Sequence, residues 1–520
     1  MNRNNLLSKL KSFNDYWDVV VIGGGATGLG VGIDAASRGY KTLLLEMHDF
    51  AKGTSSRSTK LVHGGVRYLQ QGDVSLVIQA LHERGLLIQN APHLVNHQSF
   101  IVPSYEWWNG PFYGVGLKVY DMLAGKLGIK ESKRLSKEET LERIPTLEPK
   151  DLRGGVIYYD GQFDDSRLAI NLAQTISDQG GIPLNYMKVT GLKKNGNGFV
   201  EGVEARDLFS GEDFKINARV VINATGIFTD DILEMDEAGH RKLVQSSQGV
   251  HLVLDKEFLP GNTAIMVPHT DDGRVLFAVP WHNKVIVGTT DTPVKEASLE
   301  PVALEEEVEF ILRHAAKYLT KNPKRSDVKS VFAGLRPLVK PAETKKTAEI
   351  SRSHHLQVSE SGLVTITGGK WTTYRKMAED TVERAAVVAG LEHVDCQTKD
   401  LRIHGWLKNG DLDDPLYVYG SDKIALEALI EKDKSLGEKL HENLPYIKAE
   451  VIWGIRNEMA QTVEDVLSRR TRALLLDARA SVEASETVAK LMANEMGRDE
   501  EWIQNQLREY KEVAGNYILD

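Results

Sequence analysis

The stretch "WDVVVIGGGATGLGVGIDAASRGYKTLLLE", Trp17 to Glu46, decides the fold. Asp18 to Ile22 is a mostly apolar run fit for a buried parallel strand, Leu29 to Arg38 suits a helix, and Lys41 to Glu46 reads as a second strand. Between strand and helix, Gly23, Gly25 and Gly28 satisfy GxGxxG. The first permits a tight turn, the second lets a pyrophosphate approach the backbone, and the third lets the helix pack on the strand. The helix N-terminus then faces a diphosphate. Glu46, 18 residues after the last glycine, ends the second strand, where a carboxylate accepts both ribose hydroxyls of an adenosine and repels a 2'-phosphate. The unit predicts a dinucleotide site that disfavours NADP, and by itself it does not separate NAD from FAD.

Two later segments make that choice. "ARVVINATGIFTDDI", Ala218 to Ile232, is a strand ending in Ala224-Thr225-Gly226, and it resembles the late strand and turn that flavoproteins of the glutathione-reductase type place beside the pyrophosphate. "GLVTITGGKWTTYRKMAED", Gly362 to Asp380, adds a strand, the Gly368-Gly369 turn and a helix. A helix N-terminus near a flavin's pyrimidine end stabilises negative charge on the reduced ring. An NAD dehydrogenase needs neither piece, so FAD is the expected cofactor. The run "GTSSRSTKLVHGG", Gly53 to Gly65, follows Glu46 at the point where the chain must return toward the pyrophosphate. Its hydroxyls and backbone donors suit a loop wrapped around a diphosphate and flavin edge, so Ser55, Ser58, Thr59, Lys60, His63 and Gly64 are expected at the cofactor.

Composition bounds the rest. At 520 residues the chain is too long for one ordinary core, and two or three domains are expected. A net charge of −9 with both signs interspersed leaves no broad basic surface, which argues against a nucleic-acid partner. The single cysteine, Cys396, makes no internal disulfide, and no His/Cys cluster has metal-ligand spacing, so no metal is expected and a cytoplasmic setting fits. The apolar run Val19 to Ile33 is Gly-rich and, at 15 residues, short of the roughly 20 that span a bilayer, so any membrane contact is peripheral. Leu6, Leu7, Leu10 and Phe13 suit a small amphipathic N-terminal helix, read as docked on its own domain rather than on a membrane.

Taken together, "GGGATGLG", "GTSSRSTKLVHGGVRYL", "INATG", "AGLRPL" and "TGGKWTTYRKMAE" resemble the FAD-dependent glycerol-3-phosphate dehydrogenases, the aerobic, quinone-linked kind. "AEVIWGIRNEMAQTVEDVLSRRTRALLLD", Ala449 to Asp477, resembles that family's helical C-terminal domain. The resemblance implies an α/β fold of the glutathione-reductase and amino-acid-oxidase type: a Rossmann-like FAD-binding domain, an interleaved antiparallel-sheet substrate domain and an all-helical C-terminal domain. It implies an oxidoreductase region over 1–394, with the FAD domain drawn from about 16–100, 154–230 and 334–390, and a helical domain over 395–520. It also implies oxidation of sn-glycerol 3-phosphate to dihydroxyacetone phosphate, with the C2 hydride passing to flavin N5 and electrons to a quinone at the inner face of the cell membrane. Oxygen use, as in a glycerophosphate oxidase, an amino-acid or sarcosine-type oxidase, and a flavin-binding tRNA-modification or assembly factor are the alternatives. A homodimer is left open.

That chemistry needs a proton acceptor, positive charge near a developing alkoxide, and a phosphate clamp, for which arginine's planar fork is suited. Arg67, Arg274 and Arg336 are the candidates, each beside a glycine or at a strand end. The resemblance places Arg336 and Lys370 near the flavin ring and substrate, with Arg67 and Arg274 at the phosphate end. It also puts Gly334 and Thr372 with the cofactor residues. For the acceptor, His63, Tyr68, His251 and His282 are candidates, with His251 placed first because it follows a glycine in a strand of the substrate domain. Asp291 in "GTTDTP" is read as a turn residue bonding its own backbone. Arg469-Arg470 is read as structural, the salt-bridging cations of an amphipathic helix. The aromatic segment Glu106 to Ile129 suits core packing, a dimer contact or an interfacial patch.

Overall fold

Val19, Val20 and Val21 are wholly buried, and the strand they form, Trp17–Ile22, lies inside a sheet covered on both faces, as so apolar a run requires. The computed structural model describes residues 1–65, 74–106, 109–267, 270, 274–339, 354–408 and 410–520. The first sheet runs in the order His354–Val358, Val364–Gly368, Asp213–Asn223, Trp17–Ile22, Thr42–Leu45, Ile182–Leu184. All of these pair in parallel except the outermost, His354–Val358. Asp213–Asn223 serves twice: its first half pairs antiparallel with Val200–Asp207 and its second half parallel with Trp17–Ile22.

The helix after the glycine turn, Ala26–Ser37, begins three residues earlier than its apolar pattern suggests, because Gly25 acts as N-cap. A Cβ on Gly28 would collide with the carbonyl oxygen of Gly23, so the turn closes only on glycine there. A Cβ on Gly30 would stand 2.8 Å from the Tyr374 ring, which is how close the helix Tyr374–Ala389 comes. The N-terminal helix Arg3–Ser12 is docked as expected: Leu6 and Leu10 are buried, and buried Arg3 donates to Asn185 O and to Asp207 at 2.8 Å.

A ten-stranded second sheet follows the order Thr292–Pro293, Val244–Asp255, Lys284–Gly288, Leu276–Trp281, Thr263–Val267, Val95–Ser104, Gly154–Phe163, Leu61–Val62. Val328–Val339 pairs alongside Val244–Asp255. The sheet is antiparallel apart from one parallel seam, between Thr263–Val267 and Val95–Ser104. Alternation along Val244–Asp255 sorts its two faces. Val250, Leu252 and Leu254 pack under the helix Glu305–Tyr318, whereas Val253 joins Trp281, Ile286 and Phe332 against the C-terminal helices. Those helices, including Lys448–Asn457, Ala478–Met496 and Glu500–Gly515, share a core of Val463, Leu467, Val488, Met492 and Tyr510. Among the described residues no helix is long and apolar enough to cross a membrane.

The connection into the C-terminal region is pinned by His404, whose ring nitrogens meet Asp178 at 2.7 Å and Asp422 at 2.9 Å. Burial opposes its charge, but hydrogen bonds to the two carboxylates outweigh burial and raise the imidazole from 6.5 to about 9. The stabilisation from this contact is therefore complete below pH 6.5 and is lost as pH rises through about 9, because the unfolded chain releases the proton first. Between those limits the thermal midpoint of the wild-type chain should fall by ~2–5 °C more than that of His404→Gln, read by differential scanning calorimetry. Equal slopes would mean that His404 is not coupled to folding.

Candidate active site

A cavity of about 460 Å³ opens where the parallel strands end, the usual ligand position in such sheets. Three glycine turns converge on it: Gly23 and Gly25 of the first, Ala224-Thr225-Gly226 of the second, and Gly368-Gly369-Lys370 of the third. Gly23 takes φ +110°, and a Cβ there would press on the Ala224 carbonyl oxygen at 2.6 Å. The first two turns are thus locked together. Gly226, at φ +60°, faces open space where its Cβ would stand.

Glu46 is at one end of the cavity and accepts from the amides of Gly24 at 2.6 Å and His48 at 2.7 Å. Burial raises its pKa, and the two amide bonds offset part of that rise. Ser55 Oγ accepts from the Ala26 amide at 2.9 Å, which ties the hydroxyl-rich loop to the helix N-terminus. Trp371, also lining the cavity, donates from Nε1 to Ser55 O at 2.8 Å. A helix N-terminus, a ribose-side carboxylate and three turns open to backbone approach fit the diphosphate, ribose and flavin portions of FAD.

Of the expected cofactor residues, Gly23, Gly25, Glu46, Ser55, Ala224, Thr225, Gly226, Gly368, Gly369 and Lys370 line this cavity, and Gly28 packs behind it. The remainder lie outside its lining. Ser58 donates to Asp165 through its backbone amide and its hydroxyl, at 3.0 and 2.7 Å. Lys60 is wholly buried, with Nζ 2.8 Å from the same carboxylate and 2.9 Å from Ser56 O. Burial lowers its pKa to about 8, against the pull of Asp165. His63 and Thr372 bond each other, the His63 amide donating to Thr372 Oγ1 at 3.1 Å. The Gly64 amide donates to Tyr120 Oη at 2.8 Å. Gly334 is pressed against Arg57, whose carbonyl oxygen a Cβ would meet at 2.9 Å. Arg67 and Tyr68 lie outside the described residues.

The catalytic candidates gather on one face of Val244–Asp255. The ring of His251 is stacked on Phe332 at 4.8 Å and lies over Gly288, and its Nε2 is 2.9 Å from Thr59 Oγ1. Burial first, then the nearby Lys60 and Arg336 cations, hold its pKa well below 6.5, so the ring is neutral at physiological pH. Two residues earlier on the same face, Gly249 makes room for the Arg336 guanidinium. Arg336 donates to Thr289 Oγ1 at 3.0 Å and to Thr290 O at 3.1 Å, and pairs with Asp291 at 3.4 Å. The structure does not gather the other two with them. Arg274 stacks over Phe310 at 5.2 Å, on the opposite side of the sheet from His251, and His282 pairs with Asp164 at 3.3 Å.

One expectation is corrected here. Asp291 accepts hydrogen bonds from Ser247 and Arg336 rather than from its own backbone, because neighbouring strands bring those donors across. Arg469 and Arg470 are structural, salt-bridging cations as expected, paired with Asp49, Glu464 and Asp465, and they lie buried in a π-helical turn, Asp465–Arg470. Sequence reasoning also passed over Asp165, which anchors Ser58 and Lys60, although "FDDSR" carries the acid pair of a helix start. Lys52 and His48, on the cavity wall, carry no motif signal.

Residues 18–375 match the family model described as "FAD dependent oxidoreductase", and residues 363–503 match "C-terminal domain of alpha-glycerophosphate oxidase". The mitochondrial glycerol-3-phosphate dehydrogenase of Rattus norvegicus is 40% identical over 99% of this chain and 75% of its own length. That of Schizosaccharomyces pombe is 37% identical over 99% and 89%. The crystal structure of the glycerol-3-phosphate dehydrogenase of Bacillus halodurans, complexed with FAD, superposes with a TM-score of 0.81 at 31% identity, covering 99% of this chain and 97% of its own.

The Asp165 carboxylate, unexposed and shared by Ser58, Lys60 and Arg472, makes a direct test of how this wall is held. Asp165→Asn should lower unfolding free energy by ~3–5 kcal/mol in urea titrations, the usual effect of stranding a buried cation. A change within ~0.5 kcal/mol would remove Asp165 from that role.

Proposed function

The chain belongs to the FAD-dependent glycerol-3-phosphate dehydrogenases, and from that premise we propose that it oxidises sn-glycerol 3-phosphate to dihydroxyacetone phosphate and passes the electrons to a quinone. When bound, FAD supplies the hydride acceptor, N5, for the hydrogen on C2. The observation that carries the reading is the pairing of a neutral buried imidazole with a guanidinium on one strand face, His251 beside Arg336. Alcohol oxidation requires both a proton acceptor and a cation near the developing alkoxide.

Thr59 engages Nε2 of His251, and Nδ1 is buried with no hydrogen-bond partner among the described residues. With the neutral ring's proton on Nε2 and donated to Thr59 Oγ1, Nδ1 carries the lone pair and is assigned the substrate's hydroxyl proton. Arg336, steered by Asp291 and Thr289, is assigned the oxygen from which that proton leaves. Lys370, on the wall of the cavity, adds positive charge at the flavin end. Arg67 is retained from the sequence as a phosphate-end contact and Tyr68 as a substrate contact.

Peripheral attachment to the inner face of the cell membrane suits a quinone acceptor, and the helix Asn109–Ala124 supports it. Val115, Val119 and Met122 fall at i, i+4 and i+7 and are 65%, 40% and 79% exposed, whereas Tyr113, Leu117 and Tyr120 are buried. One face of the segment therefore packs in the core and the other presents three apolar side chains, a pattern that supports contact with an apolar or interfacial surface.

Anaerobic addition of glycerol 3-phosphate to the yellow protein should bleach the flavin band near about 450 nm. His251→Gln should slow the bleaching ~10²–10⁴-fold. Colour that persists in the wild-type protein would exclude this donor, and an unchanged rate in the variant would exclude His251 as the acceptor. Reoxidation by a soluble quinone faster than by oxygen is the expected acceptor result. In flotation with anionic vesicles, Val115→Glu combined with Met122→Glu should lower the lipid-bound fraction at least ~3-fold, and equal flotation would move the membrane contact elsewhere.

A further inference from the structure

The C-terminal helices lie outside the cofactor cavity, yet a run of arginines from them reaches both flanks of the loop that lines it. Arg469, Arg470 and Arg472 are each no more than 2% exposed. Arg470 forks onto Asp49 with Nη1 at 2.6 Å and Nη2 at 2.8 Å, and Arg469 Nε joins the same carboxylate at 2.6 Å. Asp49 lies between His48 and Ala51, which line the cavity a few residues after Glu46. Glu464 extends the contact, accepting from Arg469 at 2.7 Å and from Lys52, another lining residue, at 2.6 Å. Asn185 bridges Asp49 to Met459 O at 3.1 and 3.0 Å, just before Met187, a lining residue whose amide donates to Glu46 O at 2.7 Å. On the other flank, Arg472 donates to Ser56 O at 2.7 Å and to Asp165 at 3.2 Å, beside Ser55.

Residues 46–56 are thus held at Glu46, Ala51 and Ser55 by the cofactor domain's own turn and helix, and on both flanks by buried arginine contacts that originate outside that domain. Their own short helix, Thr54–Ser56, supplies little rigidity. We propose that the C-terminal domain acts as an intramolecular cofactor clamp: Arg469 and Arg470 on Asp49, with Arg472 on Ser56, hold the adenosine-side loop in its FAD-binding geometry. These arginines are positioning residues, since they act through the loop and touch no reacting atom. Binding linkage then works both ways, so bound FAD tightens the docking of the arginine run in turn. The proposal rests on FAD binding alone and is independent of which alcohol is oxidised.

The test follows FAD release from the holoenzyme by the fluorescence of freed flavin, with no substrate present. Arg470→Lys keeps the charge but loses the fork, and it should speed release by about tenfold or more. Glu464→Gln, at the partly exposed edge of the network, should speed release ~3-fold and serves if Arg470→Lys does not accumulate folded. Val488→Ala, in the C-terminal core away from the arginines, should lower the thermal midpoint yet leave release within ~2-fold. With excess FAD supplied, Arg470→Lys should recover turnover at an unchanged KM for glycerol 3-phosphate, and backbone hydrogen exchange over 465–472 in the wild-type protein should slow on FAD binding. Release unchanged in both Arg470→Lys and Glu464→Gln, or equally accelerated by Val488→Ala, would overturn the proposal.

Discussion

A carboxylate with no solvent exposure, Asp165, fixes the relation between the three parts of the molecule. Burying an ion is unfavourable by several kcal/mol unless its partners are placed well, so the groups around it have little freedom. It stands at the start of the helix Asp165–Asp178 on the first sheet, takes Lys60 and Ser58 from the hydroxyl-rich loop, and takes Arg472 from the C-terminal helices. Thr59, held between Ser58 and Lys60, is thereby set against His251 of the second sheet. The hydroxyl-rich loop, a strand of the second sheet and the C-terminal helices share one electrostatic anchor.

The same anchor shapes the chemistry of the site. Lys60, beside Asp165, and Arg336, beside Asp291, both add positive potential around His251. Burial does most of the work of keeping the imidazole uncharged, and the two cations reinforce it. Gly249 and Gly288 are the steric condition for this crowding, because a side chain at either position would occupy the space of the guanidinium or the ring.

Features dictated by local sterics were legible in the sequence. The GxGxxG turn, the acid at the end of the second strand, the docked N-terminal helix and the later glycine turns each follow from what a short segment can do alone. Lys60 shows the limit. Its place in a hydroxyl-rich run points to cofactor contact, yet its ammonium is bound to an acid more than a hundred positions away. Asp291 and the arginine run show the same thing: their partners arrive through strand pairing and domain docking, which no local pattern encodes. For Gly25 the miss was smaller. A glycine N-cap starts the helix before any apolar periodicity begins.

The strand order of the first sheet also has a temporal side. Its members come from residues 17–45, 182–223 and 354–368, and the last of the glycine turns belongs to the third group. A chain emerging from the ribosome makes the first turn early, gains the second turn against it once Ala224 to Gly226 are made, and lacks the third turn until Gly368 and Gly369 follow, with the arginines that bind Asp49 later still. Cofactor insertion is therefore a late event in biogenesis, and a truncated product is left with an incomplete nest for the flavin.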